Sequence, residues 1–207
     1  MRPLTEQEQF WQGEFGDEYV SRNQGDDWVA SNIAFFSEVL RSCSNVSSIL
    51  ELGTNRGLNL HALHTLLPDA DLHGVELNSQ ACDIANQLGY AQVWQGSLFD
   101  YPITHQTDLS FTKGVLIHLA PELLEKAYAQ LYRASRRYIL IAEYYNPSPV
   151  EVRYRGNDGK LFKRDFAGEM LDLYPDLKLK KYGFIYRRDP VFPQDDICWF
   201  LMEKHAG

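Results

Sequence analysis

Residues 49–63 read ILELGTNRGLNLHAL, and this stretch constrains the possible fold more than any other part of the 207-residue chain. It begins as an apolar run typical of a buried strand, meets glycines at Gly53 and Gly57, and continues with the apolar spacing of a helix. A strand that passes through a glycine turn into a helix is the first half of a βαβ unit. The stretch therefore predicts a parallel sheet covered by helices.

The same alternation of strand-like and helical patterns continues along the chain. Strand-like runs are expected at residues 47–52, 71–77, 90–95, 108–114 and 137–145, and helical patterns begin near Gly57, Ser79 and Pro121. Two further strand-like runs, LKLKKYGFIYRR and DICWFLMEK, are joined by only the short loop DPVFPQD, which leaves no room for a crossover helix. The predicted fold class is therefore α/β. We expect a seven-stranded, mostly parallel sheet with an antiparallel C-terminal hairpin and helices on both faces, as in class I methyltransferases.

Length and composition predict a single domain. With 207 residues, of which 44% are hydrophobic, the chain is long enough for one well-buried core and short for two. We expect one domain over residues 1–207, in which residues 1–45 form an N-terminal helical cap and residues 46–207 form the α/β core. The N-terminus lacks the apolar segment of a secretory signal, and no 18 apolar residues run together. These features predict a cytoplasmic protein without a membrane partner.

The charge balance and the cysteines narrow the possible partners. Twenty Lys and Arg against 28 Asp and Glu give a net charge of −8, so the overall field repels polyanions and a nucleic-acid partner is not expected. Cys43, Cys82 and Cys198 are scattered and odd in number, which suits a reducing compartment. No disulfide framework and no metal site are therefore expected.

The turn after the first predicted strand indicates which ligand the chain binds. In dinucleotide-binding folds a middle glycine lets the backbone approach a pyrophosphate, but here Asn55 occupies that position. S-adenosyl-L-methionine has no phosphate, and its positive groups suit an acid at the strand end such as Glu51. Glu76 ends the next strand, where a carboxylate can accept hydrogen bonds from both ribose hydroxyls. The predicted cofactor is S-adenosyl-L-methionine, and its expected ligands are Glu51, Gly53, Asn55, Gly57 and Glu76.

The loop QGSLFD, residues 95–100, extends the predicted cofactor site. It follows the third strand, where folds of this type contact adenine, so Ser97 and Leu98 are candidate cofactor contacts. An alternative interpretation is a plain polar loop. For the glycine turn itself, the alternative is a joint whose glycines only allow close packing.

Two residues near the ends of the fourth and fifth strands are candidates for the chemistry. If the acceptor is a hydroxyl, methyl transfer requires a positioned acceptor and a base that removes its proton. His118 follows the fourth strand and is the candidate base, with Glu143 at the end of the fifth strand in reserve. The alternative is that His118 forms a local hydrogen bond and walls the cofactor pocket. Lys113 is interpreted as structural.

Two groups of residues, besides the basic stretch described next, are candidates for binding the acceptor or the cofactor carboxylate. One group follows the fifth strand, where ligands bind in open α/β sheets, and consists of Tyr144, Tyr145 and Asn146. The alternative is a strand that ends at a proline and has exposed tyrosines with no role in binding. In the N-terminal region, Tyr19, Arg22 and Asn23 form a possible flap with an arginine for a carboxylate, or simply a solvated helix.

A basic stretch over residues 152–166 reverses the sign of the overall charge. Its cations are predicted to form a lid that binds an anionic group of the acceptor. The alternative is that they pair with surplus acids on a solvated hairpin. The candidate substrate-binding residues in this stretch are Arg153, Arg155, Lys163 and Arg164, with Lys160 between them.

Four segments carry a resemblance to a known family: FTKGVLIH, AEYYNPSPVEVRYRG, GKLFKRDFAGEM and FPQDD. The chain resembles the pseudaminic acid biosynthesis-associated methylases, a group of class I enzymes, from Phe10 to Lys204. The resemblance implies a methyltransferase of a nonulosonic-acid or surface-glycan pathway that acts on a sugar-like small molecule. The alternatives are a non-catalytic protein that binds the cofactor or scaffolds such a pathway, and a Rossmann-type oxidoreductase. Two points stay open: whether an oxygen, a nitrogen or a carboxylate is methylated, and the oligomeric state.

Overall fold

A seven-stranded sheet forms the centre of the molecule in a computed structural model that describes residues 2–22 and 26–205. Its strand order is β3-β2-β1-β4-β5-β9-β8. The strands of this sheet are β1 (Ser48–Leu52), β2 (Asp71–Glu76), β3 (Ala91–Gln95), β4 (Thr107–Lys113), β5 (Ser135–Glu143), β8 (Leu177–Ile185) and β9 (Ile197–Lys204). β1 pairs in parallel with β2 and β4, β2 with β3, and β4 with β5, whereas β9 lies antiparallel to both β5 and β8. The predicted fold class is confirmed.

The helices cover both faces of the sheet. They are α1 (Glu6–Gln12), α2 (Glu14–Arg22), α3 (Asp26–Leu40), α4 (Leu58–Leu66), α5 (Ser79–Asn86), α6 (Leu124–Ala134) and α7 (Phe166–Leu173). Phe36 of α3, Leu60 of α4 and Ala85 of α5 share a buried apolar cluster on one face, and α6 and α7 supply the cluster on the other face. Both faces of the parallel strands are thus shielded from water, which explains their continuous apolar runs. In the ranges described, no helix is long and apolar enough to cross a bilayer.

The N-terminal helical pattern is divided into α1 and α2 by a bend at Gly13. Thr5 caps α1 through a reciprocal capping box with Glu8. The two helices pack so closely that a Cβ on Gly16 would lie 1.8 Å from the carbonyl oxygen of Trp11. α1 and α2 lie over the carboxyl ends of the central strands, whereas α3 packs into the core.

A small second sheet follows β5. Its strands β6 (Val150–Glu151) and β7 (Phe162–Lys163) pair antiparallel and enclose most of the basic stretch. The strands contain two residues each, which is too short for a periodic pattern to appear in the sequence. The hairpin places the basic stretch beside the N-terminal helices, where Gln7 Nε2 donates to the carbonyl oxygen of Gly159 at 3.1 Å.

The turns after β1 and β4 are in direct contact at Gly53. Gly53 has a φ of +84°, and a Cβ built on it would lie 2.4 Å from Cγ2 of Val115. Gly114 has a similar φ of +69°, yet a Cβ on it would have no neighbour within 4 Å. Both positions therefore require a left-handed backbone, but only Gly53 also requires the absence of a side chain.

Alanine substitutions at these two glycines separate backbone strain from crowding. Gly114→Ala is expected to lower the free energy of unfolding by about 1–2 kcal/mol, the cost of a left-handed residue with a Cβ. Gly53→Ala is expected to lose a further 1–3 kcal/mol or so, because the new methyl group overpacks against Val115. Urea denaturation measures both values. Equal losses in the two variants would contradict the contact between the turns.

Candidate functional site

A cavity lies at the carboxyl ends of β1 to β4, beneath α1 and α2. It is lined by Gln7, Glu8, Trp11, Gly16, Tyr19 and Val20 from the N-terminal helices, by Gly53, Asn55 and residues 75–78 from the first two strand ends, and by residues 96–99, 113–115, His118 and Leu119 from the next two. Open α/β sheets bind ligands at this edge. Of the residues predicted to bind the cofactor, Gly53, Asn55, Glu76, Ser97, Leu98 and Tyr19 line the cavity, whereas Glu51, Gly57 and Arg22 do not.

The turn between β1 and α4 is built on three left-handed residues. Gly53, Asn55 and Gly57 have φ values of +84°, +49° and +82°. Asparagine tolerates this conformation better than other residues with a side chain, which explains its presence at a position that is often glycine. Glu76 holds the turn, since its carboxylate accepts hydrogen bonds from the amides of Asn55 at 2.6 Å and Asn78 at 2.7 Å. Gly57 does not line the cavity; it packs against α5, with Leu88 Cδ1 2.7 Å from a Cβ built on it.

Glu51, at the end of β1, is a buried acid with an unsatisfied oxygen. Its Oε1 accepts a hydrogen bond from Asn59 Nδ2 at 2.6 Å, while its Oε2 has no partner among the residues described. Burial raises the pKa of this carboxyl to about 8. A cationic group from outside the chain would favour the carboxylate form and supply the hydrogen bond that Oε2 lacks.

Lys113, at the end of β4, is the complementary group. Its side chain lines the cavity, and its ammonium forms no hydrogen bond or ion pair with the residues described. Burial lowers its pKa, and the carboxylates of Glu51, Asp195 and Glu143 oppose that effect. The sequence pattern gave Lys113 only a structural role; the signal that it contributes to the site is its position as the last residue of a central strand.

His118 lies on the wall of the cavity in a fixed tautomer. Its Nδ1 is 2.6 Å from the carbonyl oxygen of Lys160, and because a carbonyl can only accept, Nδ1 carries the proton and Nε2 does not. The ring packs against Trp11 and Tyr154, with centroid distances of 4.6 and 5.0 Å. Burial lowers the pKa of His118 to about 4, so the imidazole is neutral near pH 7.

Glu143 holds the turn that carries His118. One of its carboxylate oxygens accepts the amides of Val115 and Leu116 at 3.0 and 3.1 Å, and the other accepts the amide of Ile117 at 3.4 Å. Burial raises the pKa of Glu143 to about 7 even though these hydrogen bonds favour the carboxylate. Glu143 does not line the cavity, so its position fits an anchor for the β4 turn better than a base.

A polar cluster joins the N-terminal segment to the loop after β3. Glu8 pairs with Arg2, and Ser97 Oγ lies 2.5 Å from Glu8 Oε1. Burial disfavours the Glu8 carboxylate, but the hydrogen bonds from Arg2 and Ser97 outweigh that effect and lower its pKa to about 2. The side chain of Arg2 also lies over the ring of Phe99, 4.8 Å from its centroid. The hydroxyl of Ser97 is therefore used to attach the roof of the cavity.

One aromatic residue of α1, Trp11, takes part in the site. Aromatic residues spaced like Phe10, Trp11 and Phe15 in a helical segment are typical of simple packing. Phe10 and Phe15 do stack on each other at 4.1 Å, but Trp11 lines the cavity, and its buried Nε1 has no partner among the residues described. Sequence spacing alone does not distinguish an aromatic residue that packs against its neighbours from one that lines a cavity.

Tyr19 and Arg22 of α2 have different positions. Tyr19 lines the cavity, and burial raises its pKa to about 12. Arg22 does not line the cavity; it pairs with Glu18 at 3.2 Å and lies 5.7 Å from the ring centroid of Phe15. Asn23 lies outside the described residues.

Tyr144, Tyr145 and Asn146 follow β5 but do not line the cavity. Burial raises the pKa of Tyr144, whose ring lies 5.1 Å from the ammonium of Lys163. Tyr145 is 40% exposed, and the amide of Asn146 donates to the carbonyl oxygen of Ser148 at 2.6 Å. These three residues form the outer surface beside the β6–β7 hairpin.

Several cations of the basic stretch already have protein partners. Arg153 donates to the carbonyl oxygen of Gly156 and lies 3.6 Å from Asp158. Lys160 is buried and pairs with Glu6 at 2.5 Å, and Arg164 pairs with Glu169 at 2.5 Å. The two cations without an ion pair among the described residues are Arg155, over the ring of Tyr154, and Lys163, over the ring of Tyr144.

Comparison with known proteins identifies the fold. No protein-family model and no curated protein sequence matches this chain. The structure is similar to the plantazolicin methyltransferase BpumL in complex with SAH, with a TM-score of 0.67 and 16% identity over 97% of this chain and 94% of that chain. It is also similar to magnesium protoporphyrin IX methyltransferase (ChlM) from Synechocystis PCC 6803 with bound SAH, with a TM-score of 0.69 and 12% identity over 96% and 98% of the chains.

A third similar structure is DesVI from Streptomyces venezuelae, with a TM-score of 0.64 and 14% identity over 93% of this chain and 99% of that chain. Each likeness spans nearly the whole of both chains. At these identities the comparisons establish the fold, which is that of the class I methyltransferases.

The buried neutral state of His118 predicts a dependence of stability on pH. The histidine pKa is 6.5 in its usual state and about 4 in the folded chain, so the unfolded chain binds more protons between these values. The contribution of His118 to the free energy of unfolding is complete above about pH 6.5. It is lost as the pH falls to 4 and below, by about 3 kcal/mol in all. His118→Gln is expected to remove that part of the pH dependence in urea denaturation at pH 7, 5.5 and 4.5. The exposed His205, as His205→Gln, is the control; an unchanged slope in His118→Gln would refute the neutral buried state.

Proposed function

We propose that the chain is an enzyme that transfers a methyl group from S-adenosyl-L-methionine to a small polar acceptor. The observation that carries this proposal is a pair of groups at the carboxyl edge of the sheet: Oε2 of Glu51, which is buried without a partner among the residues described, and Lys113, which lines the cavity and forms no ion pair with those residues. One is a buried acceptor and the other a desolvated donor, each at the end of a central strand. Both are costly to leave without partners.

A free amino acid end satisfies both groups at once. The cofactor has an α-ammonium, which suits the Glu51 carboxylate, and an α-carboxylate, which suits the Lys113 ammonium. A dinucleotide has no such zwitterion and instead needs a backbone cradle for its phosphates. At that position the chain has Asn55, whose backbone amide donates a hydrogen bond to the carboxylate of Glu76. The residues present therefore fit S-adenosyl-L-methionine better than a nicotinamide dinucleotide.

The other end of the cavity suits a nucleoside. Each oxygen of Glu76 accepts one backbone amide and retains a second lone pair that a ribose hydroxyl can use. Leu98 and Phe99 supply apolar surface for a planar base. The hydroxyl of Ser97 is hydrogen-bonded to Glu8 and Arg2, so we infer that Ser97 positions the loop of the adenine site and does not itself bind adenine through this hydroxyl.

His118 is our candidate base. The bound cofactor supplies a methyl group already activated by its sulfonium, so the chain has to orient the acceptor and accept its proton. The hydrogen bond from Nδ1 to Lys160 leaves Nε2 as the atom that can take up a proton. Glu143 then acts as a positioning residue, because it fixes the turn on which His118 lies.

The acceptor is proposed to be a sugar or a nonulosonic-acid metabolite with an anionic group. The sequence resemblance to the pseudaminic acid biosynthesis-associated methylases supports this class. Arg155 and Lys163 are the cations best able to bind the anion, because ion pairs within the protein already neutralise Arg153 and Arg164. Tyr144, Tyr145 and Asn146 would then form the outer wall of the acceptor site.

The first test compares S-adenosylhomocysteine with 5′-methylthioadenosine, which lacks the amino acid end. We expect Lys113→Met to weaken S-adenosylhomocysteine at least tenfold, or about 1.4 kcal/mol, and to leave 5′-methylthioadenosine unchanged, because only the former has a carboxylate. Glu76→Ala is expected to weaken both by about 1–3 kcal/mol through lost ribose hydrogen bonds. Isothermal titration calorimetry measures both ligands, with Lys126→Met on the exposed side of α6 as the control. Equal effects of Lys113→Met on the two ligands would overturn the zwitterion assignment.

The second test concerns the reaction. An acceptor screen by mass spectrometry should detect the gain of one methyl group and the formation of S-adenosylhomocysteine. With the acceptor found, His118→Gln is expected to lower the single-turnover rate by a factor of about 10² or more while the affinity for S-adenosylhomocysteine stays within about twofold. Tight cofactor binding without turnover in any extract would favour a non-catalytic binding protein. A normal single-turnover rate in His118→Gln would leave the histidine with only a structural role.

A further inference from the structure

A group of metal-ligating side chains lies at the edge of the sheet opposite the cavity. Asp71 and His73 are two residues apart in β2, so their side chains lie on the same face, and His105 reaches them from the loop before β4. One ligand atom from each of the three residues lies within 4.8 Å of the other two. β2 has six residues and rises about 3.3 Å per residue, so Asp71 is roughly 17 Å from the cavity end of the strand.

Each of the two imidazoles has a hydrogen-bond partner, and the partner of His105 is on the ring nitrogen other than its proposed ligand atom. His73 is buried, and its Nε2 lies 2.8 Å from Oδ2 of Asp71. The His105 ring is 5.0 Å from the His73 ring, and its Nδ1 contacts the Thr104 hydroxyl at 3.1 Å. An outer hydrogen bond to one ring nitrogen orients the other toward a metal, as in many histidine sites.

We propose that Asp71, His73 and His105 bind a divalent transition-metal ion of the Zn²⁺ class. Two imidazoles and one carboxylate match the ligands that such ions prefer, whereas Ca²⁺ and Mg²⁺ prefer oxygen. Ligands at about 2.1 Å in a tetrahedron are about 3.4 Å apart, so the three atoms need to close by about 1.4 Å at most. Asp71 and His105 are exposed and can make that movement.

Metal binding replaces the contact between Asp71 and His73. The proton between His73 Nε2 and the carboxylate goes to solvent, and both atoms bind the ion instead. With His105 as the third ligand, one coordination position remains for water. The ion joins the loop of residues 101–106 to the start of β2, so we expect it to stabilise the fold rather than to contact the cofactor cavity.

This site has no recognisable motif in the sequence, and no metal was expected. His73 and His105 are 32 residues apart, which matches no compact zinc motif. The fold brings them together because the loop after β3 returns along the amino ends of the strands.

The test uses purified full-length chain and ZnCl₂, with Co²⁺ as a spectroscopic probe. We expect one Zn²⁺ per chain in a competition titration with a chromophoric chelator, and a rise in Tm on adding Zn²⁺. His105→Ala and Asp71→Asn change exposed side chains and so keep the fold; each should weaken Zn²⁺ binding at least about tenfold and abolish the rise in Tm. His64→Ala, which alters a histidine stacked on Tyr90 at another position, is the matched control and should bind as the parent does.

Co²⁺ absorbance distinguishes a specific site from loose binding. A visible absorption band of a four- or five-coordinate ion in the parent, absent in His105→Ala, supports the site. The proposal is overturned if Zn²⁺ affinity and stoichiometry in His105→Ala and Asp71→Asn equal those of the parent. It is equally overturned if the parent binds no Zn²⁺ at millimolar concentration. None of these outcomes depends on the methyl-transfer activity, so this proposal and the proposed function can fail independently.

Discussion

The site depends on one buried carboxylate, that of Glu143. Its two oxygens accept the amides of Val115, Leu116 and Ile117, which form the turn after β4. Without a partner these amides would be buried and unsatisfied, at a cost of about 1–3 kcal/mol each. The turn that they stabilise presses Val115 against Gly53 and places His118 on the cavity wall. An acid at the end of β5 thereby determines where the groups after β1 and β4 meet.

Two acids of the cavity region show how differently burial acts when partners are present or absent. Glu8 is buried with Arg2 and Ser97, and these partners lower its pKa to about 2. Glu51 is buried with one amide partner, and its pKa is raised to about 8. The roof of the cavity is thus satisfied within the chain, whereas the end near Lys113 is not. A ligand that supplies a cation and an anion at that end recovers a cost that the folded chain carries alone.

The sequence predicted the sheet well because local pattern and turn chemistry act over short distances. The strands expected to begin at residues 47, 71, 90, 108 and 137 begin within two residues of those positions, and they follow from apolar periodicity, as the final antiparallel strand follows from loop length. The partners of the basic stretch could not be predicted in this way. Lys160 pairs with Glu6, which is 154 residues away, and only the folded chain brings them together. The same limit explains why Trp11 resembled a packing residue although it contacts His118.

β2 links the two ligand sites that we propose. Glu76 at its carboxyl end holds the glycine turn, and Asp71 and His73 at its amino end form the proposed metal site. The strand is paired on both sides, with β1 and with β3, and is buried on both faces over most of its length, so it is a rigid spacer. A metal ion at the amino end would therefore change the stability of the start of β2 and of the loop of residues 101–106 without moving Glu76. For that reason we expect metal binding to change the stability of the fold and to leave the affinity for the cofactor unchanged.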